Sequence, residues 1–363
     1  MKVLFQIPKI GDLGLLYQYM EGLLLPAVLH EAECSTLPSS YDGRPTLEVA
    51  LSPNLYELRF TESNPDVVVG VWPAVGHLFD AYPNAMKVYW VSHFHVQHMM
   101  GLVAQEIDDL RIHSLANFVP PLYQDFLSKS YSAAVFKRAD VLLCSSRAVI
   151  NSLWNYSPRN LSRTVYWPWV SRDLKTFTTP NIAKTYEFGP ALEDRPQMVP
   201  FFEQDYVRAR VAVHAKFVQR LQKGLQEEVE YRVVPQLFDM ASLVETLAET
   251  TLHISVPIYD GFDVITAMAL IHGVPSVVGP GSGMYDWVQA SFGFPLDSSK
   301  HSGRLLQRLQ RYCRYPGMRR EFSRATRQMT QCLWPPVKDT ARWLVNILRE
   351  KHSWWIQRRP KKR

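Results

Sequence analysis

LHISVPIYDGFDVITAMALIHGVPSVVGPGSGMYDWV, residues 252–288, is the stretch that decides the fold. Its first half predicts a strand, a loop and a helix. The short apolar run over 252–256 has the length and β-branched content of a buried strand. Asp263 is a suitable N-cap for a helix over 264–272, and Gly273 suits the position just beyond the end of that helix.

The second half of the same stretch predicts a second unit of this kind. A strand over 276–278 leads into a glycine-rich turn over 279–283, and a further helix is predicted to begin near Tyr285. In parallel α/β sheets, ligands bind at the carboxyl ends of the strands. The turn would let backbone N–H groups approach a phosphate, with the positive end of the helix behind them. Asp260 on the neighbouring loop could hold sugar hydroxyls.

This order of elements resembles the donor-binding core of GT-B glycosyltransferases of the retaining family-4 type. The resemblance is carried by Asp260-Gly261-Phe262, Gly273-Val274-Pro275, the strand at 276–278, Gly281-Ser282-Gly283 and Asp286. It implies an α/β fold in which two Rossmann-like domains face each other across a cleft.

The activity implied by the resemblance is transfer of a sugar from a nucleotide-sugar, such as UDP-glucose, to an acceptor hydroxyl. Retention of configuration is implied, with no metal and no cofactor beyond the nucleotide-sugar co-substrate. The implied catalytic residues are Asp260 and His93, which follows a predicted strand over 86–91. The residues predicted to bind the donor are Gly11, Gly261, Phe262, Asp263, Gly281, Ser282, Gly283, Met284, Asp286 and, as a candidate for the diphosphate, Arg195.

The sequence departs from the family pattern at three places. Met268 stands where a second acid would hold the ribose, and Asp263 stands where the family has glycine. Phe202-Glu203 stands where an arginine would follow the first strand of the second domain. Because of these departures, the alternative that the chain is a non-catalytic relative that only recognises nucleic acid stays open.

The chain has 363 residues, which is enough for two domains with cores of their own. The predicted division is an acceptor-side domain over 1–170, a nucleotide-sugar domain over 171–334, and a final part over 335–363 whose helix crosses back to the first domain. No segment reaches the run of about 18 apolar residues that a membrane span requires, so no membrane span is predicted. The four cysteines show no paired spacing, which indicates reduced thiols in a cytoplasmic protein.

Three histidines lie within a short stretch that follows the strand predicted over 86–91. His93, His95 and His98 could form a three-ligand metal site. They could equally be partly buried histidines without a metal. No carboxylate ligand lies nearby in the sequence and the resemblance requires no metal, so we predict none.

Charge is unevenly distributed along the chain. Residues 301–363 hold 17 Lys+Arg against 3 Asp+Glu, and the other residues hold 23 against 31. This asymmetry indicates a polyanionic partner, either DNA, which we favour slightly, or an anionic membrane that carries a lipid or glycan acceptor. A solvated basic face that aids solubility is the plain alternative. The residues predicted to bind the polyanion are Arg304, Arg308, Arg311, Arg319, Arg320, Arg324 and Arg327.

The whole prediction depends on one structural requirement. The loops around residues 260 and 283 must together grip a sugar diphosphate at the mouth of a two-lobed cleft, so they must be neither buried nor aimed away from the gap between the lobes. The sequence leaves the oligomeric state open.

Overall fold

Two parallel sheets organise the computed structural model of the chain. The residues it describes are 1, 3–6, 19, 23–31, 49–52, 55–58, 65–71, 75–91, 98, 101, 131–156, 158–175, 200–203, 232–234, 240–255, 261–288, 293–296 and 303–358. Within these residues no helix is both long enough and apolar enough to cross a membrane.

The first lobe is a five-stranded parallel sheet with helices on its faces. Its elements in chain order are β1 (Val3–Gln6), α1 (Leu25–Glu31), β2 (Val49–Ser52), β3 (Leu55–Leu58), β4 (Val67–Val71), α2 (Val75–Ala81), β5 (Met86–Val91), α3 (Tyr131–Arg138), β6 (Val141–Cys144), α4 (Arg147–Tyr156) and β7 (Thr164–Tyr166). The strand order is β1-β4-β5-β6-β7, and β2 and β3 form a separate antiparallel pair. Every residue of β4 is buried, as expected for a parallel strand that is covered on both faces.

The second lobe repeats this architecture with a second five-stranded parallel sheet. Its elements are β8 (Pro200–Glu203), β9 (Arg232–Val234), α5 (Met240–Glu249), β10 (Leu252–Ser255), α6 (Val264–Ile271), β11 (Ser276–Val278), β12 (Phe294–Pro295), α7 (Gly303–Arg314) and α8 (Pro316–Leu333). The strand order is β12-β11-β10-β8-β9. The predicted bounds of β5 and β11 are confirmed. The two-residue strand β12 is too short to leave a pattern in the sequence.

The last helix, α9 (Val337–Arg358), returns to the first lobe. Arg342 Nε lies 3.0 Å from Glu31 Oε2 at the end of α1. The indole nitrogen of Trp167 donates to the carbonyl of Thr340 at 3.1 Å. Through these contacts α9 packs against α1 and Trp167, while the predicted domain division, with its limits at 170 and 334 and its crossing helix, stays a prediction.

One buried apolar cluster continues from the first lobe into the second. It contains Trp90 and Trp169 of the first lobe, Phe262 and Met268 of the second, and Leu344 of α9. Because burial of apolar area is the main favourable term in folding, a shared cluster of this kind stabilises the two lobes as one unit.

Candidate functional site

The helix α6 begins and ends as the sequence predicts. The carboxyl group of Asp263 accepts a hydrogen bond from the amide of Thr266 at 3.1 Å, which confirms the N-cap. At the other end Gly273 has φ 76°, a left-handed conformation that glycine adopts without steric cost. Its amide donates to Leu270 O, and the next amide donates to Ala269 O, both at 2.9 Å. This pair of bonds closes the helix and fixes the direction in which β11 begins.

The glycine-rich turn after β11 is held by its own backbone. The amide of Ser282 donates to Gly279 O at 3.1 Å, and the amide of Met284 donates to Ser282 Oγ at 2.9 Å. The Met284 amide, which we predicted to face a phosphate, is therefore already engaged within the turn.

The helix predicted to begin near Tyr285 is a single 3₁₀ turn, Tyr285–Trp287. Val288 is extended, with φ −101° and ψ 106°, so the turn ends there. A macrodipole needs several aligned peptide groups, and one 3₁₀ turn supplies too few to stabilise a phosphate as proposed. The helix-dipole part of the prediction is wrong.

Side chains connect the loop before α6 to the glycine-rich turn after β11. Asp263 Oδ2 accepts hydrogen bonds from Ser282 Oγ and, at 3.4 Å, from Ser255 Oγ at the end of β10. Asp263 is 1% exposed and Ser282 is fully buried. Both residues were predicted to bind the donor, and the structure places their polar atoms against each other inside the second lobe.

The loop before α6 contacts the first lobe directly. The carbonyl oxygen of Gly261 accepts a hydrogen bond from Ser145 Oγ at 2.9 Å. The ring of Phe262 lies edge-on to Trp90 and to Trp169, with centroid separations of 5.3 and 5.8 Å. The loop therefore faces the other lobe, as the prediction requires. The same contacts bury it, because Phe262 is only 3% exposed, whereas the prediction required a loop that is open to the cleft.

Asp286 makes the second polar contact between the lobes. Its carboxylate accepts hydrogen bonds from the backbone amides of Arg147 and Ala148, the first two residues of α4. The third amide of that helix, Val149 N, donates to Ser146 Oγ at 3.2 Å. Burial raises the pKa of Asp286, and the charge of Arg147 and the two amides oppose that rise. Asp286 thus supplies a cap for a helix of the opposite lobe.

Comparison with known proteins yields similarity in fold alone. No family model matches the sequence, and no curated protein matches it. A sucrose-phosphate synthase from Thermosynechococcus elongatus matches over 97% of this chain and 99% of its own, at 13% identity and a TM-score of 0.59. WaaG, a glycosyltransferase involved in lipopolysaccharide biosynthesis, matches over 96% of this chain and 99% of its own, at 12% identity and a TM-score of 0.55. OtsA matches over 96% of this chain and 99% of its own, at 9% identity and a TM-score of 0.53. The chain has the GT-B fold.

In this GT-B fold, eight of the ten residues predicted to bind the donor lie on the two adjoining loops. They are Gly261, Phe262, Asp263, Gly281, Ser282, Gly283, Met284 and Asp286. Met268, at the position of the missing second acid, is a fully buried core residue of α6. Four further predicted site residues, Gly11, His93, Arg195 and Asp260, lie outside the described residues.

Sequence reasoning missed the first-lobe residues that contact the two loops. The Ser145-Ser146 pair was visible at the end of β6, but nothing local indicated that one serine would bond to Gly261 and the other would cap α4. Nothing in the sequence near Trp169 indicated that it would contact Phe262. Its contact with Phe262 joins residues far apart in sequence.

The seven arginines predicted to bind a polyanion fall into two groups. Arg308 and Arg319 are half-buried and serve the fold. Arg308 Nη2 donates to Gly293 O at 3.0 Å with its guanidinium over the ring of Phe294, and Arg319 Nη1 donates to Cys313 O at 2.6 Å. The exposed ones are Arg304, Arg311, Arg320, Arg324 and Arg327.

Two of the three histidines of the possible metal site, His93 and His95, lie outside the described residues, which do include His98. Burial lowers the pKa of His98. No cluster of three metal-ligating side chains occurs in the part of the chain that the structure describes. Cys144, Cys313 and Cys332 are free thiols.

Proposed function

We propose that this protein is a glycosyltransferase that moves a sugar from a nucleotide-sugar to an acceptor hydroxyl. The observation that carries the proposal is the meeting of two loops, at the carboxyl ends of β10 and β11, with the opposite lobe of a GT-B fold. Ligands of parallel α/β sheets bind at this edge. The contact with Ser145 also restrains the backbone next to Asp260, the residue that we propose holds the sugar hydroxyls.

The buried state of the loops defines how they would contribute. Phe262, Asp263, Ser282 and Met284 are each at most 3% exposed, so their side chains support the loops from inside. We therefore propose that the loops contact the donor through backbone atoms, chiefly at Gly281 and Gly283, which are buried themselves but carry no side chain to prevent close approach. Side-chain contacts to the sugar would come from Asp260 and His93.

The finer features of the reaction belong to the same proposal. We propose a UDP-sugar donor, retention of configuration and no metal, on the family resemblance of residues 260–286. Charge on the departing diphosphate must be stabilised, and this is often the largest single catalytic contribution. Since the 3₁₀ turn Tyr285–Trp287 offers little dipole, we assign that role to Arg195.

For the acceptor we propose DNA. Five of the seven arginines predicted to bind a polyanion are exposed on α7 and α8 and support it, because each phosphate that an arginine neutralises adds to affinity at low salt. Trp354, which is 42% exposed, lies 4.0 Å from the guanidinium carbon of Arg358 near the end of α9 and could stack on bases.

A donor screen tests the enzymatic part. Hydrolysis and thermal stability would be measured with UDP, UDP-glucose and GDP-mannose, because a ligand at 100 times its Kd stabilises the folded state by about 2.7 kcal/mol. We expect hydrolysis of one nucleotide-sugar, its loss in Asp260→Ala, and its retention in Asp80→Ala, a surface carboxylate paired with Arg138. Neither hydrolysis nor stabilisation by any of the three would favour the non-catalytic alternative.

A binding assay tests the acceptor. Duplex DNA and anionic phospholipid vesicles would be compared at low salt, where charge-driven binding is strongest. We expect binding to DNA that weakens steeply as salt rises. Strong binding to the vesicles with none to DNA would refute the DNA acceptor in favour of a lipid or glycan acceptor at a membrane.

A further inference from the structure

Asp263 occupies a backbone conformation that costs it energy. Its φ is 47° and its ψ is 61°, and among the described residues it is the one non-glycine residue with positive φ. Aspartate tolerates this left-handed region better than most residues, yet glycine would occupy it without a steric penalty. An aspartate at this position therefore indicates that its side chain has a role that glycine could not fill.

The side chain of Asp263 joins three segments of the second lobe. Oδ1 accepts from the amide of Thr266 in the first turn of α6. Oδ2 accepts from Ser255 Oγ at the end of β10 and from Ser282 Oγ in the glycine-rich turn. Ser282 Oγ in turn accepts from the amide of Met284 at 2.9 Å. The carboxyl group is thus the first member of a chain of bonds that ends at the backbone of the turn.

The turn has few other means of being held by a side chain. Ser282 lies between Gly281 and Gly283, and glycine has more backbone freedom than any other residue. Within the turn 279–283, Ser282 is the residue whose side chain can form hydrogen bonds, and its anchoring adds to the backbone bond from Ser282 N to Gly279 O in fixing the conformation. The anchor is Asp263, and the buried position of both partners keeps water from competing for their hydrogen bond.

We propose that Asp263 is a positioning residue for the donor site. Through Ser282 it sets the glycine-rich turn relative to the loop that precedes α6, and so fixes both backbone segments that would contact the nucleotide-sugar. The part of this inference that concerns the donor rests on the proposed function. Asp263 itself does not touch the donor, because it is 1% exposed and its oxygens face Thr266, Ser255 and Ser282.

Three variants separate the arms of the network. Asp263→Asn keeps a good helix cap and tolerates positive φ, but it replaces one acceptor oxygen by an NH₂ group. Ser282→Ala removes the link to the turn and leaves the cap intact. Ser255→Ala is the matched control, since it deletes a hydroxyl that bonds to the same carboxyl group without touching the turn.

Amide hydrogen exchange tests the positioning without any ligand. In Ser282→Ala and in Asp263→Asn we expect the amide of Met284 to exchange about tenfold faster, the effect of weakening one hydrogen bond in a buried network. The amide of Thr266 should keep its rate in both variants, and Ser255→Ala should alter neither amide. Unchanged exchange at Met284 in both variants would overturn the inference.

Titration with the nucleotide-sugar found in the donor screen tests the consequence. Asp263→Asn and Ser282→Ala should raise its Kd about tenfold, and Ser255→Ala less than about twofold, since one hydrogen bond corresponds to roughly a factor of ten. Faster exchange at Met284 with an unchanged Kd would overturn the assignment of the turn to the donor site. If the unaltered protein binds no nucleotide-sugar, the proposed function fails, and hydrogen exchange still decides whether Asp263 positions the turn.

Discussion

Two regions of this molecule were predicted to bind ligands, and the structure gives them opposite characters. The strand-end loops, residues 261–263 and 279–286, are mostly buried, and their side chains bond to one another or to the first lobe. The arginine-rich helices, α7 and α8, carry six exposed arginines, namely Arg314 and the five that were predicted to bind a polyanion. In the loops, side chains fix where the backbone lies. On the helices, side chains present charge to the solvent. Substitutions should therefore change stability in the first region and charge-driven binding in the second.

The largest effect is expected at the contact between the lobes. Phe262→Ala should lower the free energy of unfolding by about 4 kcal/mol, because it removes a buried aromatic ring and leaves a cavity beside Trp90 and Trp169. Urea unfolding followed by far-UV circular dichroism measures the change.

The matched control for this variant is Trp154→Ala. Trp154 is 60% exposed on α4, and its removal should change the free energy of unfolding by less than about 0.5 kcal/mol. Similar losses in the two variants would show that Phe262 does not hold the lobes together.

A smaller effect, dependent on pH, is expected just below the loops. His253 on β10 is fully buried, with Nδ1 3.2 Å from Ser276 Oγ. Burial lowers its pKa from the ordinary 6.5 to about 4, against the opposing charge of Asp263. Between these two pH values the unfolded chain binds the extra proton, so this contribution to stability is complete above pH 6.5 and is lost as the pH falls toward 4.

The expected loss is about 1.4 kcal/mol for each pH unit below 6.5, so about 2 kcal/mol is lost between pH 7.5 and pH 5. Urea unfolding at pH 7.5 and at pH 5 would measure this difference in the free energy of unfolding. His253→Asn should reduce the dependence on pH. Equal pH dependence in His253→Asn and in the unaltered protein would refute the assignment to His253.

Local sequence patterns were sufficient to predict the strands β5 and β11 and both ends of α6. The apolar run at Met86–Val91 has the length and composition of a buried strand, and the two ends of α6 follow from the side chain of Asp263 and the backbone freedom of Gly273. Local pattern failed where a distant partner decides. Tyr285–Trp287 reads as the start of a helix, but Asp286 is drawn to the amides of α4 in the other lobe. Such a contact leaves no periodic trace in the sequence.

The smallest effects are expected on the arginine-rich helices, where Arg308 and Arg311 lie about one turn apart on α7. Arg308→Ala should lower the free energy of unfolding by about 1 kcal/mol, because it removes the hydrogen bond to Gly293 and the contact with Phe294. Arg311→Ala should change it by less than about 0.5 kcal/mol.

If DNA is the partner, the same pair should reverse its order in a binding assay. Loss of the exposed Arg311 should reduce the slope of log affinity against log salt by about 1, the contribution of one neutralised phosphate. Loss of Arg308 should change that slope less, because its guanidinium is already engaged by Gly293 and Phe294. An unchanged slope in Arg311→Ala would mean that this face of α7 lies away from the nucleic acid. The partner of the basic segment would then have to be sought at α8 or on an anionic membrane.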